Sequence, residues 1–544
     1  MSNNKPQAKA LWWRGAVLYQ VYPLSFCDSN SDGYGDLPGL TSKLGYIASL
    51  GVDGIWISPF YPSPMKDFGY DVSDYCGVDP RFGTLADFDR MIERAHALGL
   101  KIIIDQVWSH TSDAHPWFRN SRSSADAEYS DWYIWKDAKP DGTPPNNWLA
   151  VFGGGAWTWE PRRRQYYLHH FLPSQPQLNL RNEKVLAALF EAATFWLDRG
   201  VDGFRLDAID HAFHDESFRD NPPCRHEQTP VKPYAFQQHL YDMMQPEMTG
   251  FLERIRAFAD GWPERVLLGE VSAEGDSLRR SARYTDGRHK RLHTAYALGF
   301  MRRDFTPEVF RQALREVQEE GEGWITWAFS NHDVVRAVTR WGARAEPMSF
   351  ARLLMALLLS LPGSACIYQG EELGLPEPEL AFDDLRDPYG IAFWPEFRGR
   401  DGARTPMPWQ ANAPHAGFSS AERTWLPVPP EHRALAADRQ EGDPSSLLKC
   451  WRQFLRWRKL HPALVQGEFE IRENSSSVLA FERSLGPERI FAAFNFGPEA
   501  AHIPLPAGCR PLTGHGFETK LSGRDLVLPG HGVFFGSFET LEAP

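Results

Sequence analysis

Three carboxylates in this 544-residue chain each close a short strand-type run. Asp207 ends Gly-Phe-Arg-Leu-Asp, Glu270 follows Leu-Leu-Gly, and Asp333 ends Phe-Ser-Asn-His-Asp. An acid at the carboxyl end of a barrel strand faces the mouth where substrate binds. Three that converge can serve as nucleophile, general acid/base and stabiliser of a developing cation, the set that breaks a glycosidic bond. Asp207 can be the nucleophile if the reaction retains configuration, a route that needs an ionised carboxylate at the anomeric carbon. Arg205 lies two residues earlier on the same strand face and is expected to hold Asp207 ionised. An internal structural ion pair is the competing reading. Glu270 reads as the general acid/base, with Val266, Leu267, Leu268 and Val271 as apolar surroundings that favour its protonated form. Asp333 is expected to bond sugar hydroxyls and favour the cationic transition state.

The elements that must position these acids follow from the pattern. Strand-type runs at 17–22, 54–58, 101–107, 203–208, 266–271, 324–329 and 365–368 alternate with helical segments such as 40–50 and 85–98. A short run at 296–300 supplies an eighth strand. Such alternation predicts parallel strands joined by crossovers. The rhythm breaks over 111–180, which is rich in Trp, Pro, Gly and Asn and is too long for a simple loop. That segment is expected to be a small domain inserted after the third strand. The catalytic unit then spans 1–110 and 181–461, with an elaborated Pro-rich loop over 371–430. Beyond 462 the runs are strand-like, which predicts a C-terminal β-sandwich over 462–544.

Composition narrows the partners. The formal net charge is -12 with no basic stripe, so nucleic acid is not an expected partner. The first ten residues show no apolar signal region, and the longest apolar run, 353–361, is too short to span a bilayer. Six scattered cysteines lack metal spacing and read as reduced thiols. The expectation is a cytoplasmic protein, a monomer or weak homodimer, needing no membrane and no organic cofactor. Aromatics make up 13% of the chain, and Trp148, Phe152, Trp157 and Trp159 stand in polar, loop-like stretches. Most rings must be core, but rings placed there can stack on sugar faces.

The motifs Asp-Gln-Val-Trp-Ser-His (105–110), Gln-Pro-Gln-Leu-Asn (175–179), Gly-Phe-Arg-Leu-Asp-Ala-Ile-Asp (203–210), Gly-Glu-Val (269–271) and Ser-Asn-His-Asp (330–333) occur in this order and spacing. Together they resemble glycoside hydrolase family 13, the α-amylase superfamily, and within it the bacterial α-glucosidase and oligo-1,6-glucosidase group. The resemblance implies a (β/α)8 barrel with an inserted domain after strand three and a C-terminal β-sandwich, acting on α-glucosides with retention. It implies that Asp67 and Arg400 grip the far end of the terminal glucose and make the enzyme exo-acting. Tyr70 would stack on that glucose. His110 and His332 would bond its hydroxyls, and Phe152 and Phe171 would wall the pocket. Gly153–Gly155 beside Phe152 are equally readable as a plain turn. Implied substrates are maltose, short malto- or isomalto-oligosaccharides and sucrose.

The run Asp28-Ser-Asn30-Ser-Asp32-Gly-Tyr34-Gly-Asp36 looks like the start of a calcium loop, with Tyr34 offering its carbonyl. No Glu stands at the twelfth position, so it is not an EF-hand. The resemblance implies one structural Ca2+ or Mg2+; a metal-free Asx-rich turn is the rival reading. Two positions depart from the commonest family pattern: Ser109 stands where Asn often precedes the motif His, and Gln177 replaces an Asp. Ala208, after the nucleophile, implies α-1,4 rather than α-1,6 preference, and the polar segment 211–246 is expected to wall the leaving-group side. Enzymatic rivals, an oligo-1,6-glucosidase and a sucrose- or trehalose-type isomerase or transglycosylase on this scaffold among them, keep the same acids. The rival from another class is an inactive sugar-binding protein, and such relatives lose one or more of the acids. The intact acids disfavour the last.

Overall fold

The structure is a computed structural model and describes residues 11–272, 275–342, 347–472, 476–518 and 520–538. Eight parallel strands form its centre: Val17–Val21, Gly54–Ile57, Lys101–Gln106, Gly203–Leu206, Val266–Val271, Thr294–Ala297, Thr326–Ala328 and Ser364–Tyr368. The eighth strand pairs with both the first and the seventh, and a parallel bridge between Ala295 and Ile325 joins the sixth to the seventh, closing the barrel. The sixth strand lies earlier than the expected 296–300, because residues Leu298–Met301 turn into a helix immediately after it.

Alternation of side chains fills the barrel. Leu18, Trp56, Ile103, Leu268, Tyr296, Ala328 and Cys366 pack together inside it. Ile55, Ile102, Ile104, Phe204 and Leu267 face the surrounding helices. Period-two geometry then sends Asp105 inward two residues after Ile103, and Glu270 inward two residues after Leu268. Capping sets the connecting helices. Asp36 accepts from the Gly39 N–H and starts the helix Leu37–Leu50, three residues before the expected start; Gly51, at φ 94°, ends it. Thr84 and Asp87 form a reciprocal capping box on Leu85–Ala97.

Between the third and fourth strands the chain builds a short helix, Pro116–Ser121, and a three-stranded antiparallel sheet of Trp135–Lys136, Gln165–Leu168 and Trp157–Glu160. Here one reading needs correction. Trp148 and Trp157 are buried with Ile134, Ala156 and Leu168 as this unit's own core, and Trp159 packs edge-on against Tyr166. Of the four rings singled out, only Phe152 reaches the pocket region. After the helix Leu447–Lys459, a five-stranded and a three-stranded antiparallel sheet face each other. Along Val478–Leu485, alternate residues bury Val478 and Ala480 against the smaller sheet and Leu479 and Phe481 against the main core. The six cysteines are unpaired. Among the described residues no helix is long and apolar enough to cross a membrane.

Candidate active site

Strand register assembles the first charge cluster. Asp105 and Arg205 are lateral neighbours on strands three and four, and Glu270 and Tyr296 are lateral neighbours on strands five and six. The Arg205 guanidinium is fully buried and serves three carboxylates. Its Nη1 lies 2.5 Å from Asp105 Oδ1 and 2.6 Å from Asp207 Oδ1, and its Nη2 lies 2.6 Å from Glu270 Oε2. The Tyr296 hydroxyl accepts from Arg205 Nη2 at 2.7 Å and donates to Glu270 Oε1 at 3.0 Å. The Ala208 N–H donates to Glu270 Oε2 at 2.9 Å.

Two expectations are thereby revised. Glu270 does not sit among apolar side chains: Leu267 and Val271 face outward, and its oxygens meet a guanidinium, a phenol and a backbone N–H. Arg205 does touch Asp207, but it does not hold Asp207 low. Burial pushes the Asp207 carboxyl well above the usual range; Arg205 opposes this, and Glu270 and Asp105 add to it. Burial likewise lifts Asp105 to about 6 against the pull of Arg205. One buried cation facing three carboxylates favours retention of a proton by the group as a whole.

The second cluster lies around Arg400. Its Nη2 is 2.8 Å from both Asp67 Oδ1 and Asp387 Oδ1, its Nε is 3.0 Å from Asp387 Oδ2, and its Nη1 is 3.3 Å from Asp333 Oδ1. Arg404 Nη2 also donates to Asp333 Oδ1, at 2.9 Å. Burial would raise Asp333, but His332, Arg400, Arg404 and Arg205 together hold its carboxyl well below the usual range. Asp333 is thus ionised throughout the neutral range. Gln175 Nε2 donates to the second Asp67 oxygen at 2.9 Å.

Aromatic and imidazole groups join the two clusters. His332 is stacked between Tyr70 at 5.2 Å and Tyr22 at 5.6 Å. Burial lowers its pKa to about 3, so the ring is neutral. Gln20 Nε2 lies 2.8 Å from Nδ1 and donates to it in this amide orientation, leaving the proton on Nε2, 3.3 Å from Asp333 Oδ2. His110 is neutral for the same reason, with its pKa lowered to about 3 by burial. Its Nδ1 meets Ser109 Oγ at 2.8 Å, so the departing Ser109 supplies an orienting hydroxyl, and its Nε2 lies 3.1 Å from the Tyr70 carbonyl. Phe171 packs on His110 and on Phe152, and Arg400 lies over the Phe152 ring at 4.9 Å. Gly153 and Gly154 have φ of 101° and 76°, which favours the turn reading, and a Cβ on Gly153 would meet the Phe393 ring at 2.9 Å. Gln177 reaches the His211 carbonyl at 2.8 Å and ties the insertion to the segment after strand four.

Sequence reasoning left Asp105, Tyr296, Asp387 and Arg404 out of the site. Asp105 opens the 105–110 motif, and Arg404 lies four residues after Arg400. Asp387 carries a local signal, an acid before Pro388 that caps the short helix Pro388–Phe393. Tyr296 carried only the period-two pattern of a four-residue strand.

The loop after strand one binds its own backbone. Asp28 accepts from the N–H groups of Asn30, Ser31 and Gly33 and from Ser419 Oγ; Asn30 accepts from the Asp32 N–H, and Asp32 from the Tyr34 N–H. Asp36 accepts from Ser29 and caps its helix. Among the described residues no three His, Cys, Asp or Glu side chains are gathered into a metal-binding group. The donor set suits a hard cation in kind, but the carboxylates do not converge on one point.

A model of the α-amylase catalytic domain matches residues 20–467. A probable α-glucosidase of Rhizobium meliloti is 53% identical over 534 residues, covering 96% of each chain. An oligo-1,6-glucosidase of Parageobacillus thermoglucosidasius is 35% identical, covering 91% of this chain and 92% of its own. Among solved structures, an α-glucosyl transfer enzyme, XgtA, is 52% identical with a TM-score of 0.93, covering 98% of this chain and all of its own. Trehalulose synthase MutB from Pseudomonas mesoacidophila is 32% identical with a TM-score of 0.87, covering 97% of this chain and 99% of its own. With its closed eight-stranded barrel, the chain belongs to the α-amylase family of glycoside hydrolases.

Proposed function

We propose that this protein is a retaining, exo-acting α-glucosidase on short α-glucosides, with transfer of glucose to other hydroxyls competing with hydrolysis. The observation that carries the exo reading is the Asp67–Arg400–Asp387 network. We read it as a closed end that grips one terminal glucose and stops a longer chain from passing. In this reading Asp207 attacks the anomeric carbon, and Glu270 delivers a proton to the leaving oxygen. Glu270 then takes a proton from water or from an acceptor hydroxyl, which releases the sugar with its α configuration kept. Oε2 is taken by Arg205 and the Ala208 N–H, so in this reading the proton is carried on Oε1, where the Tyr296 hydroxyl can turn to accept rather than donate.

We further propose α-1,4 preference from Ala208. This residue sits at φ 38°, the left-handed region, with its N–H on Glu270. A β-branched side chain there is strained and crowds the leaving-group side. The test is product analysis on maltose, isomaltose, sucrose and trehalose. Glucose released from maltose as the α-anomer, faster than from isomaltose, supports the reading. Conversion of sucrose or maltose chiefly to another disaccharide would replace it with the isomerase reading.

The oxygen-only loop at Asp28, Asn30, Asp32, Tyr34 and Asp36 is proposed to take a structural Ca2+ or Mg2+. Support comes from the oxygen-only donor set alone; the carboxylates would have to give up backbone N–H partners and converge on the ion. A chelator that leaves the melting temperature unchanged would remove this proposal. The unpaired cysteines support a reducing, cytoplasmic location.

A further inference from the structure

A cleft of about 630 Å³ is lined by residues of the inserted unit together with Pro64 and Lys66, and by none of Asp207, Glu270 and Asp333. Lys66, Arg119, Arg122 and Arg162 line it, with one carboxylate, Asp113, and a small apolar floor of Pro64 and Ala114. Four cations around one cleft run against the chain's formal charge of -12.

Two of the cations are already committed. Lys66 Nζ lies 2.9 Å from Asp113, and Arg122 Nε donates to the buried Glu160 at 2.7 Å. Arg119 and Arg162 make no ion pair and no side-chain hydrogen bond among the described residues. They come from different elements: Arg119 lies on the helix Pro116–Ser121, and Arg162 on the turn between strands Trp157–Glu160 and Gln165–Leu168. Glu160 fixes both sides of the cleft, since it pairs with Arg122 and accepts from the Arg162 N–H at 3.1 Å. Two free guanidinium forks in one cleft match the oxygens of a phosphate better than any neutral group. The volume falls within the range of roughly 300–1,000 Å³ found for small-molecule sites. Asp113 can accept a hydroxyl, and the Pro64–Ala114 floor can meet a ring face.

We propose that this cleft is a binding site for a phosphorylated small molecule, with Arg119 and Arg162 as the phosphate ligands. The site is connected to the donor pocket. Lys66 precedes Asp67, and the N–H groups of both residues donate to Asp71, at 2.9 Å and 3.0 Å. Occupancy of the cleft therefore bears on the loop that carries Asp67.

The experiment is calorimetric titration of the full chain with inorganic phosphate, glucose 6-phosphate and glucose at fixed chloride. It is repeated on Arg119→Ala, Arg162→Ala and the double variant. Saturable binding of a phosphate compound, weakened about tenfold by each substitution, supports the site. Maltose turnover without phosphate should stay at the parent rate in these variants, which shows that they are folded. Glucose 6-phosphate binding more tightly than inorganic phosphate identifies a sugar phosphate as the source; equal binding identifies the free anion. No saturable binding, or binding unchanged in the double variant, overturns the proposal. Neither result bears on the glucosidase reading, which rests on other residues.

Discussion

The two charge clusters around the pocket use the same kinds of side chain in different proportion. At the strand ends one guanidinium, Arg205, faces Asp105, Asp207 and Glu270. At the closed end two guanidinium groups, Arg400 and Arg404, face Asp67, Asp333 and Asp387. Burial acts upward on all these aspartates. At the closed end the two cations outweigh it for Asp333 and Asp387, which are held low, while Asp67 remains raised by burial. At the strand ends burial wins, and the group is biased to keep a proton. The under-neutralised cluster suits proton transfer, and the better neutralised one suits fixed negative charge and grip.

Breaking the under-neutralised cluster should cost most. Asp207→Asn is expected to reduce turnover on the order of 10⁴-fold or more, with substrate binding kept. Glu270→Gln should cost about 10²–10⁴-fold, least on substrates whose leaving group needs no proton, such as an aryl glucoside with an acidic phenol. Single-turnover kinetics on both variants read these effects.

The closed end should respond differently. Removing one partner of a buried pair costs about 3–5 kcal/mol of stability, and loss of the grip in Arg400→Ala should separately lower kcat/KM for maltose on the order of a hundredfold. The loss should fall more on KM than on kcat. A loss confined to kcat would erase the distinction between grip and chemistry.

A finer test is pH. The Asp105 carboxylate helps raise Asp207. Removing its charge in Asp105→Asn lowers the proton affinity of the cluster, so the last proton leaves at lower pH. The alkaline limb of kcat/KM should then move down by roughly one unit. An unmoved limb would show that the three carboxylates do not titrate as one group.

The smallest effect is expected beside the Phe152 wall. Gly153→Ala must place a side chain at φ 101° against the Phe393 ring, and should cost about 1 kcal/mol or more in a denaturant titration.

The three candidate acids were legible in sequence because Asp207 and Glu270 stand at the ends of short strands and Asp333 closes the loop that follows one, so one local pattern reveals both element and acid. The Arg205–Asp207 pair was legible for a similar reason, being two residues apart. Its sign was not, because Asp105 and Glu270 reach Arg205 from neighbouring strands and their effect depends on burial. Asp387 and Arg404 come from a Pro-rich loop with no period to read, and only the folded chain shows that they meet Asp333 and Arg400. Trp148 and Trp157 misled for the converse reason: a polar stretch of sequence concealed a small apolar core. The fold was read more completely than the site, since alternation and capping are local whereas charge balance is not.

The most direct test of the account is to trap the glycosyl ester. Incubation with 5-fluoro-α-D-glucosyl fluoride, followed by proteolysis and mass mapping, should place the label on Asp207. A label on Glu270 or Asp333 would contradict the assignment of roles. Turnover that releases β-glucose with no trapped ester would contradict the double-displacement mechanism itself.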